Sequence, residues 1–230
     1  MNTTSNKKQY VIYPHNGNSP KDKLLPQDKL IYLSIRRYMS ANTMECFPSY
    51  AELTRKTGAS SKTIKKSVDN LVREGYLETR KEGRKIIYKF NNKKHFEPFS
   101  LEFLDNKKLT FTEKSYIVAS QQYMFKNETE GVIMYTNREL SELINMSAST
   151  ISRCNQSLEE KGFLKGSSES EKRFQLRELD QLFIWKFQEI DERVDRNSED
   201  IQELKQEIER LRMENEEIKK KVNMANTYIL

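Results

Sequence analysis

Two hydrophobic periodicities follow one another between residues 47 and 90. Apolar positions first recur in steps of three and four: Leu53 after Ser49, then Ile64, Val68, Leu71 and Val72 after Ser60 and Ser61. That is the spacing of buried helix faces. Ser49 with Glu52 forms a capping box, and Gly58 stops the first helix at about Thr57, where a left-handed residue is needed. Ser60 or Ser61 caps the second helix and Gly75 ends it. From there the pattern becomes strand-like, over Tyr76 to Arg80 and Arg84 to Phe90, with Lys81-Glu82-Gly83 as the turn. Upstream, Pro26 followed by Leu30, Ile31, Leu33, Ile35 and Tyr38 predicts a further helix, and Ser40 to Glu45 a loop.

The pattern then repeats. Thr136–Glu139 stands 87 residues after Ser49–Glu52, and at the same offset Leu140 matches Leu53. Thr150-Ile151 likewise matches Thr63-Ile64, Leu158 matches Leu71, and Gly162-Phe163-Leu164 matches Gly75-Tyr76-Leu77. Tyr123-Met124 matches Tyr38-Met39 at an offset of 85, so the second copy carries two additional residues before its capping box. Thr110 to Glu113 caps its first helix. Two units are too few for a solenoid and predict tandem domains.

Beyond residue 177 the character changes again. Mostly apolar side chains fall at the a and d positions of heptads: Phe187, Val194, Ile201, Ile208, Asn215, Val222 and Ile229 at a, and Ile190, Asn197, Leu204, Leu211, Ile218 and Ala225 at d. Such a seam predicts a coiled coil. Acidic g residues (Asp200, Glu207, Glu214) and basic e residues (Lys205, Arg212, Lys219) are opposite in sign across a parallel pair. The expected dimerisation residues are therefore Val194, Ile201, Leu204, Ile208, Leu211, Asn215, Ile218 and Val222.

Helix, short turn, helix and basic hairpin is the layout of a winged helix-turn-helix. The first copy resembles the winged-helix family of phage and plasmid replication proteins and related bacterial regulators. Phe47-Pro48-Ser49, Leu53, Gly58 with Ser60 and Thr63-Ile64, and Leu71 with Glu74-Gly75-Tyr76-Leu77 carry the resemblance. The expected fold class is mainly α with small β-hairpin wings. The expected organisation is a flexible basic arm (1–24), a first winged domain (25–91), a linker (92–100), a second winged domain (101–176), a coiled-coil dimerisation helix (177–226) and a tail (227–230).

Charge sharpens the picture. Residues 1–100 hold 20 Lys and Arg against 9 Asp and Glu, residues 101–176 hold 10 against 11, and residues 177–230 hold 10 against 14. A polyanion would dock on the first domain. The start of its second helix offers Ser60, Ser61, Lys62, Thr63, Lys65 and Lys66, and its hairpin Arg80, Lys81, Arg84 and Lys85. Hydroxyls and ammonium groups there suit base edges and phosphates of double-stranded DNA. The equivalent helix of the second copy carries Ser147, Ser149, Thr150, Ser152, Arg153 and Gln156, with a single cation. It either reads bases after the first domain has engaged the phosphates or packs against protein.

No catalytic constellation, phosphate-binding glycine loop or metal-ligand spacing is visible, and no cofactor is expected. Cys46 and Cys154 form no metal pattern with His15 and His95 and are expected to be reduced. The apolar runs are too short for a membrane span, and MNTTSNKK lacks the apolar core of a signal peptide, so a cytoplasmic location is expected. The expected partners are double-stranded DNA, a second copy of the chain in parallel, and a further protein through the second winged domain or the coil. The leading expectation is a dimeric transcriptional regulator acting on an inverted-repeat site. A replication initiator or origin-binding organiser of a phage or plasmid is the alternative, and a coiled-coil scaffold with protein-binding winged helices a second.

Overall fold

The structure, a computed structural model, describes residues 10–15, 23–91, 95–126, 130–167 and 171–175, with single positions at 206, 210 and 213. The chain divides into two compact units, Met1–Trp185 and Lys186–Leu230. All elements named below belong to the first. The expected dimerisation residues lie outside the described residues.

In chain order the elements are β1 (Tyr10–His15), α1 (Pro26–Arg36), β2 (Glu45–Cys46), α2 (Tyr50–Thr57), α3 (Ser61–Arg73), β3 (Leu77–Glu82), β4 (Lys85–Phe90) and β5 (His95–Ser100). Then come α4 (Leu101–Asp105), α5 (Phe111–Ser120), a single 3-10 turn, β6 (Phe125–Lys126), β7 (Glu130–Ile133), α6 (Asn137–Ile144), α7 (Ala148–Glu160), β8 (Leu164–Ser167) and β9 (Lys172–Gln175).

The internal repeat is a repeat of structure. α6 and α7 begin and end 87 residues after α2 and α3. Ser49, Ser60, Thr136 and Ser147 each cap a helix by accepting the backbone N–H three residues on. Leu53, Ile64 and Leu71 are fully buried, as are Leu140, Ile151 and Leu158. Gly58 ends α2 in the left-handed region at φ +76°, and Asn145 does the same for α6 at φ +56°. Asparagine substitutes for glycine because its short polar side chain tolerates that conformation.

Each copy also buries an acid at the third position of its first helix. Asp28 accepts from the Leu25 N–H and from Asn70 Nδ2 on α3, both at 3.0 Å. Glu113, 85 residues on, accepts from the Thr110 N–H at 2.7 Å and from Lys161 Nζ at 2.6 Å. Burial pulls the Glu113 carboxyl upward, but the bonds from Lys161, Ser157 and Thr110 outweigh it and hold it below the usual range. These bonds tie the start of each first helix to the end of the third, and the two first helices, α1 and α5, pack on one another.

Four expectations are corrected. The 1–24 arm contains β1, which pairs antiparallel with β5 from Tyr10↔Ser100 to His15↔His95. Its Tyr13 lies in an aromatic cluster with Tyr32 and Tyr76. The 92–100 segment is correspondingly no simple linker: β5 buries Phe99 completely and runs directly into α4. The first wing turns at Gly83-Arg84, because Glu82 pairs with Lys85 and Lys81 and Glu82 remain in β3. Finally, the wings are more than hairpins. β2 extends the first to the order β2-β4-β3, and the second has the order β6-β7-β9-β8. The residues added in the second copy fall between α5 and α6, where the β6–β7 hairpin stands in place of a loop.

Candidate nucleic-acid interface

α3 is strongly amphipathic. Ile64, Ser67, Val68, Asn70 and Leu71 face inward, and Ser61, Lys62, Lys65, Lys66 and Asp69 are exposed. Among the described residues, Lys62, Lys65 and Lys66 meet no hydrogen-bond or ion-pair partner. Three uncompensated ammonium groups on one short face form a local positive field.

The hydroxyls beside them are less free. Ser60 Oγ accepts the Thr63 N–H at 3.1 Å and lies 2.9 Å from Thr63 Oγ1. Ser61 Oγ approaches Thr54 Oγ1 on α2 at 3.5 Å. Thr63 is half-buried. Ser60 is thus a helix cap first, and a contact to a base edge would come from Ser61, Lys62 or the free lone pairs of Thr63.

On the wing the structure separates residues that the sequence groups together. Lys81, Arg84 and Lys85 are exposed. Arg80 instead lies within β3, opposite Ile87. Its guanidinium donates to both carboxylate oxygens of Glu45, at 2.5 and 3.0 Å, and to Glu82 at 3.0 Å. Those bonds raise its pKa further and lower that of Glu45. Arg80 therefore ties strand β3 to Glu45 at the start of β2 and presents no uncompensated charge. Lys85 places its ammonium 5.0 Å from the centre of the Phe47 ring. Phe47, absent from the expected site residues, is 61% exposed.

α7 presents a different chemistry on the same scaffold. Position by position, Ser149 replaces Lys62, Ser152 replaces Lys65, Arg153 replaces Lys66 and Gln156 replaces Asp69. All four are exposed. Ser147 is the helix cap, 3.1 Å from Ser149 Oγ and 2.8 Å from Thr150 Oγ1. Arg153 donates to Thr150 Oγ1 at 3.3 Å and Gln156 to Glu160 at 3.1 Å. Cys154 and Asn155 face inward, and Asn155 Oδ1 accepts from the buried Tyr116 hydroxyl at 2.8 Å. In the second wing, Lys172 is fully buried and donates to the Tyr135 carbonyl, and Arg173 pairs with Glu130 and Glu171. Lys165 remains exposed.

The geometry in both copies is thus a short helix, a tight left-handed turn, an exposed recognition-type helix and a β wing. A helix-turn-helix domain model matches residues 23–77. A winged helix-turn-helix DNA-binding model matches residues 135–165. Two separate stretches of the chain are thus similar to helix-turn-helix families, the second of them to a winged one. A comparison with curated proteins finds no match. DNA is the partner that helix-turn-helix domains imply, and such domains are typical of regulators. Among the described residues, no group of three or more His, Cys, Asp or Glu is placed to hold a metal ion. Nor is any described helix long and apolar enough to cross a membrane. Burial raises the thiol of Cys46 to about 12, and burial followed by the Glu113 charge raises that of Cys154 to about 11. Both are packed, unreactive side chains.

Proposed function

We infer that this chain is a transcriptional regulator that binds double-stranded DNA in a sequence-specific manner, as a parallel dimer on an inverted-repeat site. The observation that carries the reading is the face of α3, where Lys62, Lys65 and Lys66 stand exposed and unpaired beside Ser61 and Thr63. Lys81, Arg84 and Lys85, exposed on the wing, add phosphate contacts. The exposed Ser149, Ser152, Arg153 and Gln156 of α7 give base-edge hydrogen bonding with little electrostatic pull. The first copy thus supplies most of the affinity and the second adds discrimination. The heptads from Phe187 to Val222 join two such chains, which raises the effective concentration of the second set of reading heads once the first has bound.

The test is the salt dependence of binding to a DNA duplex. Replacing Lys62, Lys65 and Lys66 together by Ala lowers affinity for every sequence and reduces the log–log salt slope by about 0.9 per lost phosphate contact, or about 2.7 in all. Replacing Thr63 changes which sequence is preferred. An unchanged slope in the triple variant removes α3 from the interface and the reading with it. Genome-wide mapping of bound sites separates promoters from a replication origin.

A further inference from the structure

Phe47 occupies an unusual position for a phenylalanine. It lies between Cys46, 3% exposed, and the buried Pro48, yet is itself 61% exposed. Its backbone is held on both sides. Cys46 pairs with Tyr88 in the wing sheet, and the residue before a proline is restricted to extended conformations. The ring is therefore presented outward by a rigid frame and is not a loose loop tip.

Its surroundings are those of the candidate interface. Lys85 of β4 stands over the ring, and the neighbouring Arg84 forms the tip of the wing. Two residues after Phe47, Ser49 caps α2 with its side chain. Tyr50 begins that helix, and its phenol is pushed up by burial and then by the Asp69 carboxylate of α3. α2 in turn packs on α3. Apart from the Lys85 ammonium over its face, the ring is left largely in water beside the exposed cations of the wing, a setting whose positive field attracts a polyanion.

We propose that Phe47 is a DNA-contacting residue, its ring packing on deoxyribose and base edges in the minor groove beside the wing while Lys85 and Arg84 engage the flanking phosphates. Apolar side chains act in this way as wedges against the groove floor, and contacts between aromatic rings and bases do not depend on counterion release. The proposal rests on the DNA-binding reading above and adds a salt-independent component to it.

The experiment compares Phe47→Ala, Phe47→Trp and Lys85→Ala in the full chain, with a mixed-sequence DNA duplex as probe over a range of salt. Phe47→Ala lowers affinity about tenfold at every salt concentration and leaves the log–log slope unchanged. Phe47→Trp retains affinity. Lys85→Ala lowers the slope by about 0.9. Circular dichroism and thermal unfolding confirm that each variant is folded, which the exposure of Phe47 favours. Wild-type affinity in Phe47→Ala overturns the proposal and leaves the DNA reading standing. So does a fall in slope with Phe47→Ala, which would mean that the ring only positions Lys85. Failure of the wild-type chain to bind the duplex even at low salt overturns both.

Discussion

The guanidinium of Arg37 forks onto the carboxylate of Asp105, with Nη1 at 2.9 Å from Oδ1 and Nη2 at 2.7 Å from Oδ2. Arg37 follows α1 of the first copy and Asp105 ends α4 at the start of the second. Lys56, in the last turn of α2, adds a contact to the same carboxylate at 3.4 Å. A planar bidentate pair fixes orientation as well as distance. It is one of several links between the copies, with the packing of α1 on α5 and the bond from Asn145 Nδ2 to the Leu24 carbonyl at 3.3 Å.

That fork has a pH signature. The Arg37 bonds hold the Asp105 carboxyl down to about 2 against the opposing effect of burial. An unfolded Asp titrates near 3.9, roughly. The folded value is the lower, so the contribution is complete above about pH 4 and is lost as the pH falls through about 2. The Asp105 side chain is 43% exposed, so solvent screens the pair. Asp105→Asn is expected to cost about 1 kcal/mol at neutral pH. The difference in urea midpoint between wild type and variant shrinks between those two pH values. A constant difference across that range would rule out the fork as its source.

Gly58 and Asn145 make a matched pair for substitution. A Cβ at Gly58 meets nothing within 4 Å, so the cost of adding one is that of the left-handed backbone alone. Gly58→Ala is expected to destabilise by about 1 kcal/mol and Gly58→Asn by clearly less. Thermal unfolding of the three proteins measures the ordering.

Arg80 and Arg84 are four residues apart but differ in what they face. Arg84→Ala is expected to reduce the salt slope of DNA binding by about 0.9. Arg80→Ala leaves the slope nearly unchanged, because Glu45 and Glu82 already compensate its charge. It loosens the first wing instead, which hydrogen exchange of the β2, β3 and β4 amides reports.

In the proposed coiled coil, Asn215 takes a polar a position. Asn215→Ile is expected to give a more stable association with higher oligomers or mixed alignments, since a buried asparagine sets register and strand number at some loss of stability. Analytical ultracentrifugation measures the first effect, and disulfide trapping from a cysteine placed at Leu211 the second. If the wild-type chain yields no Leu211→Cys crosslink, the parallel in-register dimer is wrong.

Local patterns by themselves determined both helix-turn-helix units. Caps, stop residues and three-four spacing act within a few residues, so Ser49, Gly58, Ile64 and Leu71 announce their elements directly, and the 87-residue offset repeats them. The exposed cations of α3 were legible for the same reason: an amphipathic helix assigns its own faces. What tertiary structure decided were the pairings between residues far apart in the chain. Tyr10 to His15 reads as part of a polar arm until His95 to Ser100 lies beside it, because a short apolar run acquires strand structure only from its partner. Arg80 looks as available as Arg84 until the fold brings Glu45 to it across 35 residues. Phe47 enters the sequence only as part of a short motif, and its exposure is decided by the fold. Helix faces are set by nearest neighbours along the chain, whereas charge compensation and exposure are set by whatever the fold places alongside.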